Sequence, residues 1–109
     1  MATGRLGTAN ITTTADTTVY TVPASTFSVV SVNVVNRSSS AAAAVRIAVA
    51  SSATPGPAEY IEYDSSLVAN GVLERTGIVM KANELIVVQT PTATPTLSVV
   101  VYGIETSTA

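Results

Sequence analysis

The stretch Glu59-Tyr60-Ile61-Glu62-Tyr63-Asp64 is the densest set of chemically capable groups in this sequence. Residues two apart on a strand share a face, so Glu62 and Asp64 would stand about 7 Å apart. Glu59 would point the other way. Two carboxylates at that separation suit a general acid and a general base working on one substrate, or two ligands of a Ca²⁺ ion. A calcium loop uses a denser run of Asp, Asn and Gly than this stretch offers. The plainer reading is a solvent-facing pair that keeps a strand soluble.

Most other site chemistry is excluded by composition. The chain has no His and no Cys. That removes the common general base near neutral pH, the Ser-His-Asp triad, thiolate nucleophiles, zinc-thiolate sites and disulfides. No Gly-rich phosphate loop, metal-ligand cluster or basic stripe is present. Five Lys and Arg against seven Asp and Glu give a net charge of -2, which does not steer toward a phosphate backbone. The expectation is a protein that is not an enzyme, with no catalytic residue, no metal, no cofactor and no nucleic-acid partner. The longest apolar run, 41–50, is interrupted by Arg46 and falls far short of the ~20 residues of a bilayer crossing. No membrane partner is expected, and residues 1–7 carry no apolar signal-peptide stretch.

A few residues remain as contact candidates. Glu74 and Arg75 are strand neighbours, face opposite sides and cannot pair with each other. Each then meets a partner across the sheet or a subunit boundary, or faces solvent. Tyr60 and Tyr63, three apart, should lie on opposite faces, one in the core and one outward as a contact residue. A saccharide platform normally uses several exposed aromatics, and this chain has four Tyr, one Phe and no Trp. Arg5 and Leu6 lie between Gly4 and Gly7, in a disordered terminus or in an arm that orders against a neighbouring subunit. The candidate interface residues are therefore Arg5, Leu6, Tyr60, Glu62, Glu74 and Arg75.

The elements that must position them are strands. The 109 residues include 17 Thr and 17 Val, and Val, Ile and Thr together make 40. β-Branched side chains fit a pleated surface better than a helix. Segments 10–14, 17–22, 27–36, 58–64, 71–80, 85–90 and 96–104 read as strands, separated by Gly, Pro, Asn and Ser clusters. Val30, Val32 and Val34 share one face of the clearest strand, and Ser31 and Asn33 the other. Segment 41–50 starts with four Ala, which favours helix, but Val45, Ile47 and Val49 alternate with smaller or charged residues, which favours strand. Strand is the better reading, because ten residues barely suffice for a helix and both flanks are Ser-rich. Asn70-Gly71 is the strongest turn signal, and Gly77 a possible break. About eight short strands without helical alternation indicate an all-β fold: a single-domain antiparallel β-sandwich, jelly-roll-like, spanning 10–109 behind an extended N-terminal arm, 1–9. Removal of 1–7 should then leave the domain folded.

Charged residues are 11%, against ~25% in typical soluble domains, and the mean hydropathy is +0.44. Such a chain buries its strands unusually well, or buries them against other subunits.

Several segments together resemble small virion structural proteins of tailed bacteriophages, especially phages of cyanobacteria and other aquatic bacteria. They are Ala-Thr-Gly-Arg-Leu-Gly at 2–7, Val-Tyr-Thr-Val-Pro at 19–23, Val-Asn-Val-Val-Asn-Arg at 32–37 and Val-Arg-Ile-Ala-Val-Ala at 45–50. Glu-Tyr-Ile-Glu-Tyr-Asp at 59–64, Asn-Gly-Val-Leu-Glu-Arg-Thr-Gly-Ile-Val at 70–79 and Val-Tyr-Gly-Ile-Glu at 101–105 complete the set. The resemblance implies a β-sandwich subunit in a homo-oligomer, a trimer, located in the virion. It transfers no catalytic residue. Its members include capsid decoration (cement) proteins, whose partner is the major capsid protein, and tail or fibre components. Three readings stay open: capsid decoration, a tail, baseplate or fibre-attachment component, and a carbohydrate-binding module.

Overall fold

Short β-branched runs divided by turn residues build eight strands in the computed structural model, which describes residues 2–108. They are β1 (Thr3–Ile11), β2 (Thr17–Thr21), β3 (Thr26–Asn36), β4 (Ala43–Ala50), β5 (Tyr60–Leu67), β6 (Val72–Met80), β7 (Leu85–Gln89) and β8 (Leu97–Ser107). A single 3-10 turn, Pro57–Glu59, precedes β5. The first sheet has the order β1-β8-β3-β6 and the second β2-β7-β4-β5. All pairings are antiparallel. The pairs β4/β5, β3/β6, β2/β7 and β1/β8 nest like the rungs of one long hairpin. Rolled up, that hairpin brings β3 beside β8 and β4 beside β7, which is the jelly-roll arrangement. Only the β4–β5 connection stays within one sheet.

Strand alternation sets the layers. Val30, Val32 and Val34 of β3 and Val99 and Val101 of β8 face inward, against Val45 and Ile47 of β4 and Ile86 and Val88 of β7. Each of these is at most 1% exposed, in a core of mainly branched aliphatics that also takes in Met80, Ala43 and one tyrosine, Tyr20. A second, smaller cluster lies on the outer face of the second sheet, where Ala48, Ala50 and Val87 are roofed by Tyr60 and Leu85. The alanines of 41–50 are thus strand residues, and two of them leave room for an aromatic ring above.

Two expectations need correction, and the Asn70-Gly71 turn is found as expected. The boundary between an arm at 1–9 and a sandwich from 10 is not where the structure divides. Residues 3–11 form edge strand β1, registered on β8 from Thr3 against Ile104 to Ile11 against Leu97. Leu6 packs on the core of its own chain, so the segment is part of the sandwich and its removal would strip a sheet edge. Gly7 explains why β1 can close against β2. A Cβ there would meet the Val19 carbonyl oxygen at 2.2 Å, so only glycine permits this crossing of the two sheets. Asn70-Gly71 does form a turn, with Asn70 at φ 57° and Gly71 N bonded to Val68 O at 2.9 Å, but it carries the chain from one sheet to the other. Gly77, at φ 68°, marks a bulge in a continuous β6, since Val30 pairs with Ile78 while Val32 pairs with Arg75.

Candidate functional site

The outer face of the first sheet carries a row of apolar side chains without an intramolecular cover. Val29 of β3 lies directly between Val79 of β6 and Ile104 of β8, and Phe27 follows two residues along β3 on the same side. Val79 is 70% exposed, Ile104 48% and Phe27 39%. A second exposed valine, Val72, stands opposite Val35 at the other end of the face. Between these ends runs a polar stripe. Arg5 is registered on Tyr102 and Tyr102 on Ser31, and the Tyr102 hydroxyl donates to the Glu74 carboxylate. That bond raises the Tyr102 pKa, because the neutral phenol is the donor. Arg5 and Glu74 are the only charged residues that the strand registers place on this face.

The six interface candidates have divergent positions. Leu6 packs, partly buried, against the core of its own chain, and Tyr60 covers Ala48 and Ala50. Arg75 and Glu62 form an ion pair with each other, joining edge strand β6 of the first sheet to edge strand β5 of the second. Glu62 also accepts from Ser65, and the Ser65 hydroxyl first, then Arg75, holds the Glu62 carboxyl below the usual range. Glu74 is held by Tyr102. Arg5 alone is exposed with no ion pair or side-chain hydrogen bond among the described residues. Sequence reasoning missed Phe27, Val79 and Ile104. The available signal was Val29-Val30, Val34-Val35 and Val99-Val100-Val101, since neighbouring strand residues cannot all face one core.

Two further corrections concern β5. Its register on β4 passes from Val45/Ser65 to Ile47/Glu62 to Ala48/Tyr60, so β5 carries an extra residue at each step. Asp64 takes φ 53° at the first irregularity. The strict alternation assumed for this strand fails, and with it both face assignments. Glu62 turns into the gap between sheets while Asp64 turns to the outer face, each closed by a different arginine. The acid/base or Ca²⁺ pair is therefore not assembled, and among the described residues no three Asp or Glu side chains gather to hold a metal ion. Tyr60 and Tyr63 share the outer face, with ring centroids 5.0 Å apart and planes at 80°. Glu59 lies in the 3-10 turn, where its carboxylate accepts from Gly56 N at 2.8 Å and Ser51 N at 3.0 Å. These bonds, Gly56 first, lower its pKa.

Around Tyr63 the second sheet builds a cluster that sequence reasoning did not assemble. Arg46 of β4 donates from Nε to Asp64 Oδ1 at 2.6 Å and from a terminal nitrogen to Oδ2 at 3.2 Å, and it also donates to Gln89 of β7. Its guanidinium carbon lies 4.2 Å from the Tyr63 ring centre, a cation–π contact. The pair lowers the Asp64 pKa and raises that of Arg46. The signal was a single arginine among alternating apolar residues, which must face out and meet the neighbouring strand.

At the far end of the molecule, the Tyr20 hydroxyl of β2 donates to Glu105 Oε2 of β8 at 2.6 Å, tying the two sheets together. Burial, with the Glu105 bond adding to it, pushes the Tyr20 pKa up to about 12. Glu105 Oε1 accepts from Ala2 N at 3.1 Å and so holds the start of β1. A concavity of about 470 Å³ between the 36–43 and 92–96 loops is lined by Ser, Thr and Ala with Arg37, whose guanidinium donates to Asn10. Comparison of the chain with known protein families and with curated proteins finds no match in either.

Proposed function

We propose that this chain is a structural subunit of a phage virion, a capsid decoration protein that associates as a trimer and bridges major capsid subunits. One observation carries the reading: the unbroken row Val79-Val29-Ile104 with Phe27 on a sheet face that bears two charges. Covering such a row on association contributes ~25 cal/mol per Å² of apolar surface, offset by the cost of association. The low charge content and the phage-like segments named above support the same reading. Jelly rolls recur in viral capsid and lectin domains, which is an analogy of fold and adds no site.

Electron microscopy of the particle tests it. Density of this size at three-fold positions of the capsid lattice is the expected result. Density confined to the tail would select the tail or baseplate reading, and absence from particles would overturn both.

A further inference from the structure

We propose that the Tyr60–Tyr63 corner on the second sheet is a binding site for a neutral saccharide ring. The first argument is a contrast among the four tyrosines. The hydroxyls of Tyr20 and Tyr102 are both committed to carboxylates, Glu105 and Glu74. Neither the Tyr60 nor the Tyr63 hydroxyl has a hydrogen-bond partner among the described residues. These two rings, with Pro55 and Pro57, line an open concavity of about 570 Å³, within the ~300–1,000 Å³ of small-molecule sites.

The second argument is rigidity. Tyr63 is 58% exposed, yet its ring is fixed by the perpendicular Tyr60 ring and by Arg46, itself anchored through both oxygens of Asp64. A preorganised aromatic loses little freedom on binding. The third is charge and donor chemistry. Arg46 and Asp64 neutralise each other, so the site favours an uncharged ligand. The lining offers two phenol hydroxyls, each able to donate and to accept, which serve a ligand rich in hydroxyls. A pyranose fits, with an apolar C–H face for the ring and hydroxyls for the rim. A polyproline segment fits less well, because proline has no N–H to give the phenol oxygens.

The site lies on the sheet opposite the apolar row, so its test is independent of virion assembly. Amide chemical shifts of the labelled full chain are followed on titration with methyl glycosides of glucose, galactose and mannose, with N-acetylglucosamine, and with decaproline. The expected result is saturable shifts with at least one sugar, in the millimolar range, confined to residues around 46, 55–64 and 89. Tyr63→Ala should weaken that binding at least about tenfold, as truncation of an aromatic anchor does. Tyr63→Phe should retain part of it, through the stacking face. Absence of shifts with every sugar, decaproline shifting these amides when the sugars do not, or wild-type affinity in Tyr63→Ala would each overturn the proposal.

Discussion

At the scale of single residues, the fold depends on a few positions whose role is geometric. Gly7 admits the Val19 carbonyl where β1 crosses β2. Gly7→Ala should cost about 1–3 kcal/mol, the usual penalty for forcing atoms into an occupied space. Urea unfolding checks this, with a lower midpoint and an unchanged slope expected. Glu62 is the electrostatic counterpart. Its folded pKa lies below the unfolded value of about 4.3. The unfolded chain therefore binds the proton first as pH falls. The contribution is complete above the unfolded pKa and disappears as pH drops through the lowered folded one. Glu62→Gln should be less stable than wild type at pH 7 by about 1 kcal/mol. The difference should shrink toward zero on acidification, as followed by thermal melts across pH.

At the scale of elements, β1 is the instructive case. Two glycines and the lack of a simple period make 1–9 read as an arm, because an edge strand with a bulge between Arg5 and Gly7 breaks the alternation that identifies strands. Truncating residues 2–7 should destabilise the domain by about 2 kcal/mol or more, through loss of β8 pairing and of the Leu6 contact. A thermal melt of the truncated chain measures it, and an unchanged melting temperature would return the segment to the status of an arm. The other strands were legible within a few residues, β3 almost to its ends, because Val30, Val32 and Val34 alternate cleanly with polar neighbours. In β5 the existence of a strand was legible and its faces were not. Two register irregularities reverse the alternation that places Tyr63 and Asp64. Bulges follow from the pairing of two strands, and one strand's sequence does not contain its partner's register.

At the scale of the whole molecule, a long hairpin rolled into two sheets explains why consecutive valines are abundant. Both faces of β3 and β8 carry apolar residues, the inner set filling the core and the outer set forming the exposed row. Fold class followed from composition and turn spacing, while the choice of interface residues did not. The sequence directs attention to charges and tyrosines, and the folded chain engages most of the charged side chains internally. What it leaves outside on the first sheet is a mainly aliphatic row, Val79, Val29 and Ile104 with Phe27. Association through that aliphatic face is the central claim, and sedimentation equilibrium of wild type and Val79→Asp tests it most directly. The account predicts a wild-type mass of three 11.1 kDa chains and a shift to the single chain in the variant, with the fold retained. A wild-type monomer at every concentration, or a trimer undisturbed by Val79→Asp, would contradict it.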